Sequence, residues 1–282
     1  MSQYQVIDSG NCLKFEQIGA YTFVRPSPYA VWEPMLSQKI WEKADITFIR
    51  ETDKTGKWNL KEGINPNFLI NFAGFRFKIK LTGFGHIGLF PEQEDNWEWI
   101  TSQVSYLAKK HSSKEVKVLN LFAYTGASTI AAAAAGASVT HIDAAKNVVD
   151  WARDNAKDNN LEERPIRWIV EDAAKFVERE IKRGSRYNGI IFDPPSFGRG
   201  PQGQVFKIEE DLMPMFKNIK QIMEKDCFVL YTSHTPGFTQ ETLKNQLEYL
   251  NKNQRNIEYG EMNLADNQAR ILPSGFFARF GV

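Results

Sequence analysis

The feature that most constrains the fold is a regular alternation, from Val116 to the C-terminus, of short apolar segments with segments of helical periodicity. Unbroken apolar strands separated by amphipathic helices are typical of a parallel sheet that helices cover on both faces. The expected strands are residues 117–122, 138–143, 166–172, 187–193, 227–232, 257–264 and 276–280. The expected helices are residues 126–135, 147–159, 173–182, 208–223 and 240–251.

The pattern therefore predicts an α/β fold with a doubly wound, seven-stranded, mostly parallel sheet over residues 116–282. Only residues 265–275 join the last two strands, which leaves no room for a crossover helix. We expect that pair to form an antiparallel hairpin at the sheet edge.

The first 90 residues have a different texture. Short runs rich in aromatic and β-branched residues recur there between Gly, Pro and Asn turns, which predicts a small antiparallel β-rich domain over residues 1–90. Residues 91–115 then carry Trp97, Ile100, Val104 and Leu107 at helical spacing, which indicates a helical linker.

The composition indicates which binding partners and which cellular compartment to expect. Lys plus Arg total 35 against 34 Asp plus Glu, so the overall charge provides no long-range attraction to nucleic acid or to an anionic membrane. The two cysteines, Cys12 and Cys227, have no spacing that suggests a zinc site or a disulfide framework, so we expect no metal. No apolar run approaches membrane-spanning length and the N-terminus is polar, so the expected location is the cytoplasm.

In doubly wound sheets, ligands bind beyond the carboxyl ends of the strands. The first strand is followed by Phe122, Ala123, Tyr124, Thr125 and Gly126, which contain one glycine where a dinucleotide fingerprint needs three. Those glycines let the backbone approach a pyrophosphate, and here Tyr124 and Thr125 occupy that space. The turn therefore favours a ligand without phosphates that carries a compact zwitterion.

Carboxylates follow the next three strands. Asp143 is placed to accept hydrogen bonds from ribose hydroxyls, and Asp172 from an adenine amine. The fourth strand ends in Asp193, Pro194, Pro195 and Ser196, a turn that offers carbonyl oxygens and few N–H groups. Each feature also has a plain structural interpretation: either of the first two carboxylates could cap a helix, Gly126 could serve close packing, and Asp-Pro-Pro could be a simple turn.

At these residues the chain resembles the class I S-adenosylmethionine-dependent methyltransferases, which have a Rossmann-like fold. It is most similar to the bacterial group that includes ribosomal RNA large-subunit cytosine-C5 and guanine-N7 methyltransferases. The resemblance covers residues 85–282 and is most specific at Asn-Leu-Phe-Ala-Tyr-Thr-Gly and Asp-Pro-Pro-Ser-Phe.

The resemblance implies S-adenosylmethionine as the cofactor. The turn at residues 122–126 would hold its methionine end, Asp143 with Ala144 its ribose, and Asp172 its adenine, while Asp193 would face the methyl group. Residues 86–93 look like the segment that closes over the cofactor in relatives, which implies cofactor contacts for Phe90 or Gln93; simple interdomain packing is the alternative.

At one position the sequence differs from its relatives, and this difference limits which atom can accept the methyl group. Cytosine-C5 methylation requires a thiolate that adds to C6, and relatives with that activity place a Cys where this chain has Ser233. A nitrogen acceptor therefore fits better, with Asp193 and the Pro194 carbonyl orienting it. Phe197 could stack a flipped base, and Arg199, in a loop over residues 198–204, could contact a phosphate. His234 is a candidate base, or merely a polar partner at the strand end.

Three functions remain open at this point. The first is an RNA nucleobase methyltransferase, with ribosomal RNA as the substrate. The second is a methyltransferase that acts on a protein or a small molecule; a basic groove leading to Asp193 would favour RNA over this class. The third is a dinucleotide-dependent oxidoreductase or a cofactor-binding protein without catalysis. No membrane partner is expected, and the sequence leaves the oligomeric state open.

Overall fold

The computed structural model describes residues 3–52, 55–111, 115–200, 203–252 and 254–282. The chain divides into two compact units. The N-terminal unit comprises Met1–Glu92 together with Asn263–Ser274, and the C-terminal unit comprises Gln93–Met262 together with Gly275–Val282. The sequence indicated no return of the chain to the N-terminal unit at residues 263–274.

The N-terminal unit contains a five-stranded sheet in which the strands neighbour one another in chain order. Its strands are β1 (Tyr4–Gly10), β2 (Leu13–Ile18), β3 (Tyr21–Pro26), β4 (Ile46–Arg50) and β5 (Gly56–Leu60). The expectation of a purely antiparallel arrangement is wrong at one position, because β3 and β4 run parallel. The long connection between them, which includes the short helix α1 (Gln38–Trp41), gives the chain room to cross over.

A hairpin of β6 (Asn67–Phe72) and β7 (Phe75–Lys80) completes the β structure of this unit. Its two-residue loop, Ala73-Gly74, has positive φ at both residues, which matches the right-handed twist of the paired strands. One face of the hairpin is buried through Ile70, Phe77 and Ile79. Because side chains alternate along a strand, the basic residues of β7 lie on the opposite face.

Residues 263–274 are held in the N-terminal unit by buried charges. Asp8 has no exposed surface and accepts hydrogen bonds from the Leu36 amide at 2.8 Å and from Trp41 Nε1 at 3.0 Å. The Arg270 guanidinium pairs with Asp8 and also with Asp266, where Nε lies 3.0 Å from Oδ2. A buried carboxylate needs such partners, so Asp8 has its full set only when the distant Arg270 is in place.

The C-terminal unit begins with α2 (Glu94–Lys110), which buries the predicted stripe of Trp97, Ile100, Val104 and Leu107. The strands of its main sheet are β8 (Lys117–Leu121), β9 (Ser138–Asp143), β10 (Ile166–Val170), β11 (Tyr187–Phe192), β14 (Met223–Ser233), β15 (Glu258–Ala265) and β16 (Ile271–Phe280). Between β11 and β14, a separate short pair is formed by β12 (Phe197–Arg199) and β13 (Val205–Lys207). The strand order of the main sheet is β10-β9-β8-β11-β14-β16-β15.

Five helices follow the strands of this sheet. They are α3 (Ala127–Ala134), α4 (Lys146–Asp158), α5 (Ala173–Lys182), α6 (Ile208–Ile222) and α7 (Gln240–Glu248). All pairs from β10 to β14 are parallel, and β16 runs antiparallel to β14. The predicted doubly wound, seven-stranded, mostly parallel sheet is confirmed, with β15 and β16 at the edge as expected.

Register places the ends of four parallel strands at one edge of this sheet. Leu121 pairs with Ile142 and with Phe192, and Asp143 pairs with Val170. The residues that follow these strand ends therefore share the carboxyl edge, where doubly wound folds bind their ligands. Over the described ranges, no helix is both long enough and apolar enough to span a bilayer.

Candidate active site

The turn between β8 and α3 has an unusual backbone. Phe122, Tyr124 and Gly126 all have positive φ, at 55°, 49° and 85°. Non-glycine residues rarely adopt this region, and such conformations persist where the surrounding structure holds them. The Ala123 amide donates to the Ile142 carbonyl at 2.9 Å, and the Gly126 amide donates to the Ala123 carbonyl at 3.0 Å.

Asp143, at the end of β9, completes this arrangement. Its Oδ2 accepts a hydrogen bond from the Tyr124 amide at 3.0 Å, and its Oδ1 accepts one from the Ala145 amide at 3.0 Å. Burial raises the pKa of this carboxyl, while the backbone N–H groups oppose the shift. The Ala144 amide also acts on this carboxylate. A carboxylate has about four acceptor positions, so Asp143 can still accept a hydrogen bond from a ligand.

These contacts bear on the choice between a dinucleotide and another nucleoside. In a dinucleotide site, the backbone N–H groups after the first strand point at a pyrophosphate. Here the amides of Ala123, Tyr124 and Gly126 all donate to acceptors of the protein itself. The turn therefore suits a ligand without a pyrophosphate.

Gly126 serves packing as well as the turn. It caps α3 in a left-handed conformation, and a Cβ added to it would lie 3.0 Å from the Cβ of Ala152 on α4. The same region is tied to α4 by Asn155, whose Nδ2 donates to the Thr125 carbonyl at 3.0 Å. Close packing against α4 is thus sufficient to explain a glycine at position 126, with or without a ligand contact.

Asp172 was predicted as the last residue of the third strand, but β10 ends at Val170, so Asp172 lies two residues beyond the strand. It is the N-cap of α5, and its Oδ1 accepts a hydrogen bond from the Lys175 amide at 3.0 Å. Glu171 beside it pairs with Arg179 at 2.5 Å. The helix-cap interpretation is therefore realised, and the second oxygen of Asp172 is the atom left for a ligand.

The Asp-Pro-Pro-Ser turn follows β11. The side chain of Asp193 is about one-third exposed, and its Oδ2 lies 3.5 Å from Nδ1 of His234, which follows β14. Gln93, immediately before α2, donates from Nε2 to the same oxygen at 3.4 Å. Pro194 is buried and Pro195 is exposed. Three separate segments of the C-terminal unit thus meet at one carboxylate.

Ser196 links this turn to its surroundings. Its Oγ donates to Oγ1 of Thr235 at 3.1 Å, and its carbonyl accepts from the Ile208 amide at 3.1 Å. The segment after it was expected to be a loop over residues 198–204, but Phe197–Arg199 and Val205–Lys207 pair as a small hairpin, β12 and β13. Residues 201–202 of the expected loop lie outside the described residues.

The two predicted substrate contacts on this hairpin lie at the surface. The side chain of Phe197 is 49% exposed, and the guanidinium of Arg199 stands over its ring at 5.8 Å from the centroid. Phe90, by contrast, belongs to the N-terminal unit, where its ring packs edge-on against His86 at 5.3 Å.

Several polar residues at this edge were missed by the sequence analysis. Asn96, on the buried face of α2, donates from Nδ2 to Oε1 of Gln93 at 2.8 Å. Thr232, at the end of β14, accepts from Nε2 of Gln93 at 3.2 Å. The available signal was Asn96 itself, since it lies four residues before Ile100 on an otherwise apolar stripe.

A buried polar group also lies beneath the 122–126 turn. Thr129 of α3 accepts from Asn120 Nδ2 at 3.0 Å and lies 3.0 Å from Nδ1 of His141. Burial lowers the pKa of His141 to about 3, so the imidazole is neutral at physiological pH. A neutral ring and a hydroxyl can lie in the core of the unit without introducing a charge.

Cys227, the cysteine of the C-terminal unit, is not placed to act as a nucleophile at this edge. It is fully buried near the start of β14, at the opposite end of that strand from Ser233, and burial raises the pKa of its thiol. Cys12 belongs to the N-terminal unit. Among the described residues of the C-terminal unit, no thiolate lies beside Asp193, which a mechanism through a covalent C6 adduct would require.

Comparison with known proteins assigns the family. Residues 46–247, more than half of the chain, match the family model described as S-adenosylmethionine-dependent methyltransferase. The crystal structure of an S-adenosylmethionine-dependent methyltransferase from Agrobacterium tumefaciens is 36% identical, with a TM-score of 0.92, and the match covers 99% of this chain and 90% of that one. The structure of the methyltransferase SMU.776 complexed with SAH is 18% identical with a TM-score of 0.75, covers 99% of this chain and 74% of that one, and shows the same fold.

Among curated proteins, the ribosomal RNA large subunit methyltransferase K/L of Methylococcus capsulatus is 28% identical over 193 residues. That match covers 67% of this chain and 25% of the relative, so the chain aligns with about a quarter of the length of that protein. With the observed fold and the turn that suits a nucleoside without a pyrophosphate, these matches confirm the expected family, its cofactor and its enzymatic class. The chain belongs to the S-adenosylmethionine-dependent methyltransferase family.

Proposed function

We propose that this methyltransferase transfers its methyl group to a nucleobase nitrogen of RNA, with ribosomal RNA as the substrate. The observation that carries the proposal is the partly exposed Asp193 carboxylate, which Gln93 and His234 contact. Within the described residues of the C-terminal unit, no cysteine lies beside it. Such a carboxylate can accept hydrogen bonds from an amine but cannot form a covalent adduct with a pyrimidine ring.

The residues at the carboxyl edge fit the cofactor. When bound, the cofactor supplies an electrophilic methyl group on a sulfonium sulfur. The 122–126 turn would hold its amino-acid end, Asp143 and Ala144 its ribose, and Asp172 its adenine through the oxygen not used by the helix cap. Gln93 completes the proposed set of cofactor contacts in the C-terminal unit.

One prediction tests the cofactor side. We expect Asp143→Ala to weaken S-adenosylhomocysteine binding by about 1–3 kcal/mol, because charge-assisted ribose hydrogen bonds are lost and the Tyr124 amide loses its acceptor. Isothermal titration calorimetry measures the change. Lys157→Ala, at the far end of α4, is the matched control and should bind like the wild type. Unchanged affinity in the Asp143 variant would remove this residue from the site.

On the acceptor side, the protein mainly orients the reacting nitrogen. Asp193 and the Pro194 carbonyl would accept hydrogen bonds from the amine and take up positive charge as it develops. Holding donor and acceptor in line contributes up to about 7–11 kcal/mol in favourable cases. A ring nitrogen has no proton to lose, so no general base is required for that acceptor. His234, 3.5 Å from Asp193, would then bind substrate.

Two surfaces support RNA as the substrate. In the C-terminal unit, the exposed Phe197 ring and the adjacent Arg199 pair a stacking surface with a cation. In the N-terminal unit, Arg76, Lys78 and Lys80 lie on the outward face of β7, and no other charged residue occurs between Glu62 and Glu92. A row of cations on a two-stranded ribbon suits a phosphate backbone. The name of the Methylococcus relative agrees with this substrate class.

The proposal is tested by tracing tritiated methyl groups. Purified protein and labelled S-adenosylmethionine are incubated with the RNA, protein and metabolite fractions of cells that lack this chain. We expect label in the RNA fraction, and nuclease digestion followed by mass spectrometry should yield an N-methylated base. Label that enters only protein or a small molecule would contradict the proposal and support the second class of substrate. The Asp193→Ala protein serves as the inactive control.

A further inference from the structure

A chain of side-chain hydrogen bonds leads from a cation to Asp193 within the C-terminal unit. Nη1 of Arg279 donates to Oδ1 of Asn96 at 3.0 Å, and Nδ2 of Asn96 donates to Oε1 of Gln93 at 2.8 Å. Nε2 of Gln93 then donates to Oδ2 of Asp193 at 3.4 Å and to Oγ1 of Thr232 at 3.2 Å. The two amides thus stand in series between a guanidinium and a carboxylate.

The two end groups of this hydrogen-bond series, a guanidinium and a carboxylate, determine how both amides are oriented. A guanidinium has only donors, so the oxygen of Asn96 must face Arg279. The Asn96 nitrogen is then directed at the oxygen of Gln93, which leaves the Gln93 nitrogen to face Asp193. An ionised carboxylate has only acceptors, so every contact in this order is favourable.

The links are well shielded from water. Asn96, Gln93 and Thr232 are 2%, 8% and 3% exposed, so a reversed amide would bury unmatched dipoles. Arg279 is held from several sides. Its guanidinium stands over the rings of Trp99 and Phe277, at 5.0 Å and 4.9 Å. Its Nε also pairs with Glu258 at 3.0 Å. The cationic end of the chain therefore has little freedom to move.

We propose that Arg279 and Asn96 are positioning residues for methyl transfer: they orient the Gln93 amide so that it donates to Asp193 and aims that carboxylate at the acceptor. The inference rests on the proposed role of Asp193. It assigns a function to two residues, one at the start of α2 and one on the last strand, that contribute no group to the reaction itself.

Asn96→Asp tests the donor–acceptor order of these hydrogen bonds with almost no change in the shape of the side chain. Aspartate can accept from Arg279 but cannot donate to Gln93, so the Gln93 amide should rotate and present its oxygen to Asp193. We expect kcat for methyl transfer to fall by about 10- to 100-fold, with KM for the acceptor within about threefold of wild type.

Glu258→Gln is the matched control, because it alters the ion pair of Arg279 with Glu258 and leaves the hydrogen bonds from Arg279 to Asp193 in place. It should retain wild-type kcat and KM. If Asn96→Asp does not fold, Arg279→Lys and Arg279→Met decide the question. Lysine keeps a donor and should retain more activity than methionine. Equal losses in these two variants, or an unchanged kcat in Asn96→Asp, would overturn the proposal.

A readout without turnover separates this inference from the proposed function. In ¹H–¹⁵N NMR spectra, the Gln93 side-chain amide resonances should respond to Asp193→Asn in the wild-type background, because the amide loses its carboxylate acceptor. In the Asn96→Asp background this response should be strongly reduced, whatever the substrate is. A wild-type protein that shows the response but does not methylate RNA would retain the positioning chain and refute the substrate assignment.

Discussion

Replacing Asp193 with alanine is expected to lower kcat for methyl transfer by at least about 100-fold while S-adenosylhomocysteine binds within about threefold of wild type. The carboxylate lies at the end of β11, and Gln93 and His234 approach the same oxygen from two other segments. If it orients the acceptor amine, its loss removes an interaction made mainly in the transition state. Tritium transfer to RNA gives kcat, and calorimetry gives the affinity.

The Asp143→Ala variant provides the opposite pattern as a control. It should lose cofactor affinity first, and at saturating cofactor it should retain much of the wild-type kcat. Asp193→Asn keeps the shape and one acceptor oxygen, so its kcat should lie between those of wild type and Asp193→Ala. Parallel losses of kcat and cofactor affinity in Asp193→Ala would move this residue from the acceptor side to the cofactor side.

The second large effect is expected in the N-terminal unit, where Arg25→Met should lower the free energy of unfolding by about 3 kcal/mol or more. The Arg25 guanidinium forms two hydrogen bonds with the fully buried Glu16, at 2.7 Å and 2.9 Å. Tyr4 donates to the same carboxylate at 2.7 Å. Removal of the guanidinium leaves a buried charge that is paired, among the described residues, with Lys14 at 3.0 Å. Urea unfolding followed by tryptophan fluorescence measures the loss.

The pKa of Glu16 determines how the expected loss of stability changes with pH. Burial alone would raise the pKa of Glu16, but Arg25 and Lys14 lower it to about 2. The stability that this carboxylate contributes to the wild type is therefore complete above the unfolded-state pKa of about 4.5 and is lost as pH falls towards about 2. In Arg25→Met the buried carboxyl gains stability on protonation, so the deficit should shrink between pH 7 and pH 4.

Lys39→Met, on the exposed side of α1, is the control and should change stability by no more than about 0.5 kcal/mol. A deficit in Arg25→Met that stays constant over the acidic range would show that lost packing, rather than the unpaired charge, causes the destabilisation.

The site was only partly predictable from the residues. Asp143 and Asp193 could be located because each follows an apolar strand whose end lies at a known edge of a parallel sheet. The sequence could not show that both oxygens of Asp143 bind backbone amides, because the left-handed conformations of Phe122 and Tyr124 are properties of the folded turn. Asp172 as a helix cap was foreseeable from the helix that starts at Ala173.

By itself, the sequence determined the architecture of the C-terminal unit. Strand and helix periods are local, so the apolar segments and the short final connection were enough to predict the doubly wound sheet and its edge hairpin. Only the tertiary structure decided which distant polar groups pair. Arg279 reaches Asn96 across 183 positions, and Arg270 reaches Asp8 across 262. The physical reason is that a buried charge or amide needs a hydrogen-bond partner, and this need can be met by a residue anywhere along the chain.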